Sequence, residues 1–193
     1  MPNNIERVLV IDLEATCWEN KTPPLGESSE IIEIGICVLD IRTKTVEKPV
    51  SIYISPVAST LSEYCKNLTG ITPKMVYKSG VTFTKATDRL VNKYGSKNKA
   101  WASFGDGDME MFETQCLVND IEYPFGKTYF NVQTLFSMKN QITKMDTGLT
   151  SAMSISGLEF EGRAHSGAVD AYNTAILLGK LLWNETPSKS WKF

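Results

Sequence analysis

Cysteine is sparse in this chain and never paired. Cys17, Cys37, Cys65 and Cys116 stand far apart, with no C-x-x-C among them. That argues against a disulfide framework and a structural zinc site, and fits reduced thiols inside a cell. Long apolar runs are missing as well. The opening "MPNNIERVLVID" has no signal-peptide stretch, and "AILLGKLLW" is too short to span a bilayer and contains Lys180. The reading is a soluble, intracellular, cytoplasmic protein with no membrane partner. Basic charge is not in excess: the net charge is −2 and the pI about 5.5. A protein that grips long nucleic acid by counterion release alone is usually basic. Any nucleic-acid contact is therefore expected to be short, or to use metal ions that offset clustered carboxylates. Histidine is nearly absent, with one copy, His165, inside "RAHSGAVD".

What is present is ordinary globular composition, 42% hydrophobic and 22% charged over 193 residues, enough for one domain with a sizeable core. "RVLVIDLEA" reads as a buried strand over 7–14, "EIIEIGICVLDI" (30–41) as a second and "VEKPVSIYISP" (46–56) as a third. The last two form a hairpin, and Pro49 puts the third at an edge or interrupts it. "LSEYCKNLTG" is a helix capped by Thr60 or Ser62 and stopped by Gly70. "ITPKMVYKSG" is a short helix and turn. "TFTKATDRLVNKYG" places Phe83, Ala86, Leu90, Val91 and Tyr94 on one helical face. "KAWASFG" (99–105) is a fourth strand. "DMEMFETQCLV" (108–118) is a helix facing inward through Met109, Phe112, Cys116 and either Leu117 or Val118. "KTYFNVQTLF" (127–136) is a strand running into a helix, "GLTSAMSISGL" (148–158) is helical, and "SGAVDAYNTAILLGKLLW" (166–183) is the last long helix. "NETPSKSWKF" reads as a loose polar tail. The order predicts one α/β domain over residues 1–184 and a C-terminal tail, 185–193. Its mixed sheet has about five strands, the leading three antiparallel, flanked by helices.

Three acidic stretches carry candidate chemistry. Asp12 and Glu14 lie two apart on a strand, so both carboxylates share one face, with Leu13 on the other. They follow "VLVI", a run suited to burial on both faces, and ligands commonly sit at the carboxyl ends of such strands. "GDGD" (105–108) offers Asp106 or Asp108 where the fourth strand meets a helix; a helix N-cap is the ordinary use of such an aspartate. "RAHSGAVD" offers His165, and Asp170 five residues later near the start of the last helix, where an acid also suits the helix dipole. Three or four converging carboxylates can hold two divalent cations that clamp a phosphodiester, and magnesium prefers such ligands. A histidine at the edge can take the proton from an attacking water, since imidazole titrates near neutral pH.

"VIDLEATCW", "EIIEIG", "LSEYCKNLTGIT", "FGDGDMEMFETQC" and "EGRAHSGAVDAYNTA" stand in the order and spacing of a known family. The chain resembles the DEDDh 3′–5′ exonucleases of the DnaQ-like, ribonuclease H-like superfamily. It is nearest the exoribonucleases that trim histone mRNA and small interfering RNA and their KapD-like relatives. The resemblance implies a ribonuclease H-like sheet and release of nucleoside 5′-monophosphates from the 3′ end of RNA or single-stranded DNA, with RNA ahead of DNA. It implies two divalent cations, magnesium with manganese as the alternative. Asp12, Glu14 and Asp170 would ligate the first, Asp12 would bridge to the second, Asp108 would complete the set through water, and His165 would be the general base. The backbone at Leu13, Ala15 and Thr16 would lie near the terminal nucleotide, and Leu68 and Thr69 of "LTGIT" would position the 3′ end. Trp18 is either a stacking surface or a core or rim aromatic. The chain departs from the pattern at Val169, where the family often carries a second acid, and in "SFGDG" before Asp108. The readings left beside it are a catalytically inactive nucleic-acid-binding protein of the same fold, a DNA proofreading-type exonuclease and a metal phosphoesterase for small nucleotides.

Overall fold

The structure is a computed structural model that describes residues 5–142 and 147–191. Residues 1–4 and 143–146 of the expected domain, and 192–193 of the expected tail, lie outside the described residues. The strands are β1 (Arg7–Ala15), β2 (Ile31–Asp40), β3 (Thr45–Val46), β4 (Val50–Tyr53), β5 (Ala100–Ser103), β6 (Tyr129–Asn131) and β7 (Ser188–Lys189). The helices are α1 (Glu63–Thr69), α2 (Phe83–Tyr94), α3 (Gly107–Val118), α4 (Val132–Asn140), α5 (Leu149–Ile155) and α6 (Gly167–Trp183). One mixed sheet runs β6-β5-β1-β2-β3-β7, with β4 also on β2. β1 lies antiparallel to β2, parallel to β5, and near its centre. Among the described residues no helix is long and apolar enough to cross a membrane.

Period-two alternation in β1 and β2 divides the core into two layers. Val8, Val10, Cys37 and Leu39 face α4, α5 and α6, where Phe136, Met153, Ala171 and Ala175 are buried. Leu9, Ile11, Ile34, Ile36 and Val38 face α2 and α3, against Phe83, Leu90 and Phe112. Antiparallel pairing sets Asp12 opposite Gly35 and Glu14 opposite Glu33. The face that carries Val8 and Val10 under α6 thus continues as Asp12 and Glu14. A Cβ at Gly35 would lie 1.9 Å from the carbonyl carbon of Gly167, so only glycine lets the start of α6 rest on β2 there. That contact hangs the first turn of α6 over the acidic end of β1.

Three expectations are corrected. The third strand is split: β3 pairs with the Leu39–Asp40 end of β2 and β4 with Glu33–Ile36, with Pro49, which has no N–H, in the gap. The sheet therefore has more, shorter strands than the expected five. Neither Leu117 nor Val118 faces the core; they are 83% and 78% exposed. The inward line of α3 runs from Phe112 to Cys116, and the two residues after Cys116 turn away from it. The described part of the tail, residues 185–191, is not loose. β7 pairs parallel with β3, Pro187 packs on Gly179, and Trp191 meets Tyr172 edge-on at 5.7 Å.

Candidate active site

Three separate stretches of chain supply the site. β1 brings Asp12 and Glu14. α3 follows β5, the parallel neighbour of β1, so its first turn arrives at the carboxyl end of β1. There Asp108 Oδ1 accepts a 3.0 Å hydrogen bond from the Leu13 amide, which lies beyond the reach of β5. Asp106, not Asp108, occupies the N-cap position, and its Oδ1 accepts from the Tyr129 hydroxyl at 3.2 Å. The two aspartates of "GDGD" therefore part company, and Asp108 is the one tied to β1. α6 brings Asp170 in its first turn, and the preceding loop brings His165.

A carboxylate oxygen of Glu14, one of Asp170 and a ring nitrogen of His165 all lie within 4.8 Å of one another. Glu14 is buried and His165 is exposed at the rim. His165 has φ +61°, in the left-handed region that non-glycine residues seldom occupy. Its amide donates to Asp170 Oδ2 at 3.0 Å, which ties the loop to the helix it precedes. The other oxygen, Asp170 Oδ1, is buried with no hydrogen-bond partner among the described residues. An orphaned carboxylate oxygen beside further hard oxygen donors is what a divalent cation would satisfy, so the residues present fit such an ion.

The electrostatics say the same. Burial, then the charges of Asp108, Asp170, Glu14 and Glu33, hold the Asp12 carboxyl well above the usual range. Burial, then Asp170, Glu33 and Asp108, push Glu14 to about 8. Burial raises Asp108 to about 7 against the lowering effect of the Leu13 amide. Burial raises Asp170 to about 6, although the His165 amide and ring charge pull it down. These acids titrate near 4 in an unfolded chain. Between about 4 and 8 the folded state therefore holds protons that the unfolded chain has released, and stability falls as pH rises. In chelator, the protein is expected to melt at a lower temperature at pH 8 than at pH 5.5. A scanning-fluorimetry series that rises with pH instead would contradict this clustering.

The expected substrate residues divide. Thr16, Trp18 and Leu68 line one cleft of about 310 Å³ at the end of β1, together with Lys21 and Tyr64. Leu13, Ala15 and Thr69 do not line it. Leu13 packs toward α3, the Ala15 carbonyl accepts from the Cys65 thiol, and the Thr69 hydroxyl bonds Cys65 O at 2.8 Å and the Ile71 amide at 3.1 Å. The Thr16 hydroxyl is held by Ser59 and the Glu30 amide, and its own amide and carbonyl are bonded to Glu30 O and the Ser29 hydroxyl, so this buried residue shapes the cleft wall rather than offering a free polar group. Cys17 also borders the cleft, but burial and the neighbouring Cys65 thiol push its thiol up to about 12, which makes it a poor nucleophile.

Two further residues bear on the site and were not singled out in the sequence. Arg163 Nη2 donates to the carbonyls of Asn67 (2.6 Å) and Leu68 (3.2 Å) at the C-terminal end of α1, which pins the His165 loop to the cleft wall. Glu33 is buried under α6; its signal was an acid inside the apolar run of β2.

Comparisons with known proteins identify a nuclease family. The exonuclease family RNase_T matches residues 9–178. The Homo sapiens protein 3′-5′ exoribonuclease 1 is 30% identical over 184 residues, covering 91% of this chain and 52% of that protein. The chain thus spans about half the length of that relative. The Drosophila melanogaster 3′-5′ exonuclease Snipper is 32% identical over 197 residues, covering 91% of this chain and 69% of that one. Among solved structures, the nuclease domain of 3′hExo, a DEDDh family member bound to rAMP, is similar with a TM-score of 0.84. Its identity is 26%, and the match covers 96% of each chain.

Proposed function

This chain belongs to the RNase_T exonuclease family, and from that premise we propose that it is a divalent-metal-dependent 3′–5′ exonuclease releasing nucleoside 5′-monophosphates. The observation that carries the reading is the meeting of Glu14, Asp170 and His165 within 4.8 Å, beside the buried, mutually repelling carboxylates of Asp12 and Asp108. Asp12, Glu14 and Asp170 would hold one cation, with Asp12 shared with a second and Asp108 completing the acidic set. Magnesium is the natural occupant and manganese the alternative. Bound cations would supply Lewis acidity to the phosphoryl oxygens and the attacking water. The chain's own part is to place and move a proton. His165, exposed at the rim and turned by its left-handed backbone, takes the proton of the water as oxygen bonds to phosphorus and the 3′ oxygen leaves. Thr16, Trp18 and Leu68 receive the terminal nucleotide in the cleft at the end of β1. The proposed substrate is an RNA end ahead of a DNA end. The proposed setting is intracellular, in keeping with four cysteines that form no disulfide.

Digestion of matched end-labelled RNA and DNA, single- and double-stranded, in magnesium, manganese or chelator tests the reading. The expected result is cation-dependent loss of mononucleotides from free 3′ ends and resistance of 3′-blocked ends. Equal cleavage of blocked and free ends would mean an endonuclease, and binding without cleavage would mean an inactive relative.

A further inference from the structure

Glu33 stands near the start of β2 among Ile31, Ile32, Ile34 and Ile36, and is 1% exposed. A buried carboxylate needs partners. In register it faces Glu14, and like charges directly across a strand pair are unfavourable. Its partners are dipoles. The Ser51 hydroxyl donates to Oε1 at 2.5 Å, the Gly167 amide to Oε2 at 3.1 Å and the Ala168 amide to Oε1 at 3.2 Å. The last two are the first two amides of α6, which have no partner inside the helix, and an N-cap side chain ordinarily reaches only the second or third amide. Ser166, in the N-cap position, makes no such bond. Glu33 therefore caps α6 from another strand, across 134 residues of chain. The fit is close, since a Cβ on Gly167 would lie 3.2 Å from the Glu33 carboxyl carbon and 3.1 Å from the Asp12 carbonyl oxygen.

We infer that Glu33 is a positioning residue: by gripping the first two amides of α6 it sets where His165 and Asp170 stand against Asp12 and Glu14. His165 lies two residues before the gripped segment and Asp170 two after it, so a shift or rotation of the helix start moves both. Displacements near 1 Å at a reacting centre can cost about 100-fold in rate. The inference deepens the exonuclease reading and, for its kinetic part, rests on it.

The test compares Glu33→Ala, Glu33→Gln and, as a control, Ile176→Val, which loosens α6 in the core beyond its first turns. Turnover on single-stranded RNA with magnesium is read beside the ring signal of His165 by NMR, which needs no assignment because the chain has one histidine. Glu33→Ala is expected to lower kcat by about 10- to 100-fold, as lost partners of metal-site residues do, with KM changed by less than about threefold. Glu33→Gln, which keeps one acceptor oxygen, falls between it and the parent, and carries the test should the alanine variant not fold. Both move or broaden the His165 signal. Ile176→Val lowers the melting temperature and leaves kcat and the signal in place. A folded Glu33 variant with parental kcat and an unmoved His165 signal overturns the inference, as does a loss seen in KM alone. If the parent shows no nuclease turnover, the exonuclease reading fails by itself and the histidine signal still decides whether Glu33 positions His165.

Discussion

Asp12→Asn is expected to reduce nuclease turnover by a factor on the order of 10³ or more, while making the cation-free protein more stable at pH 8. Asp12 is where the site's repulsions meet: burial and the charges of Asp108, Asp170, Glu14 and Glu33 all disfavour its ionised form. At pH 8 Asp108 and Asp170 lie above their titration and Glu14 at it, so most of these charges press on the buried Asp12 in the folded chain. A neutral isostere removes the most crowded of them without leaving a cavity. The same change deprives a divalent cation of its central ligand. Magnesium at 100 times its dissociation constant should stabilise the parent by about 2.7 kcal/mol, and that gain should largely vanish in the variant. Melting curves with chelator and with magnesium, beside digestion of labelled RNA, give all three results. Parental activity in Asp12→Asn, or a cation-free variant that melts below the parent at pH 8, would remove the basis for a metal site here.

Candidate acids could be picked out in the sequence because most of them obey a local rule. Alternation puts Asp12 and Glu14 on one face of a strand, and that face is the one β1 turns toward α6. The end of a strand followed by a helix start offered Asp106 or Asp108, a choice that only the family resemblance made for Asp108, and the helix start after Gly167 put Asp170 near a first turn. What local rules do not carry is which surfaces touch. The glycine contact between residues 35 and 167 and the grip of Glu33 on α6 join segments more than 130 residues apart, and nothing near either segment announces the other. The tail failed for the same reason. "NETPSKSWKF" is polar by composition, yet the edge of β3 and the face of Tyr172 give it a strand partner and an aromatic one. The departure at Val169 has a local structural use: its side chain covers Gly162, where a Cβ would come within 3.0 Å of it, and Gly162 holds φ +91° in the loop that carries His165. The acid often found at this place in the family would have to leave that packing or be buried in it.

His165→Asn is expected to lower kcat by about 10²- to 10⁴-fold, the span of a lost general base, while leaving divalent-cation binding and the fold in place. The choice of asparagine follows from the backbone. At φ +61° histidine, like asparagine, is enriched relative to alanine, so His165→Ala mixes a loosened loop with a lost imidazole. Asparagine enters the left-handed region more readily and has no side-chain group that accepts a proton near neutral pH. The tie from the residue 165 amide to Asp170 Oδ2 belongs to the backbone and survives both substitutions. If the histidine acts on the proton, the two variants should lose similar turnover although alanine melts lower. If it acts mainly by shaping the loop, asparagine should keep most of the rate. A ring nitrogen of His165 lies close enough to Glu14 and Asp170 to ligate an ion with them, which makes the cation readout decisive. Manganese titration of each variant without substrate separates the roles: unchanged affinity with lost turnover assigns His165 to the proton, and a matching loss of affinity assigns it to the metal and removes it as the base.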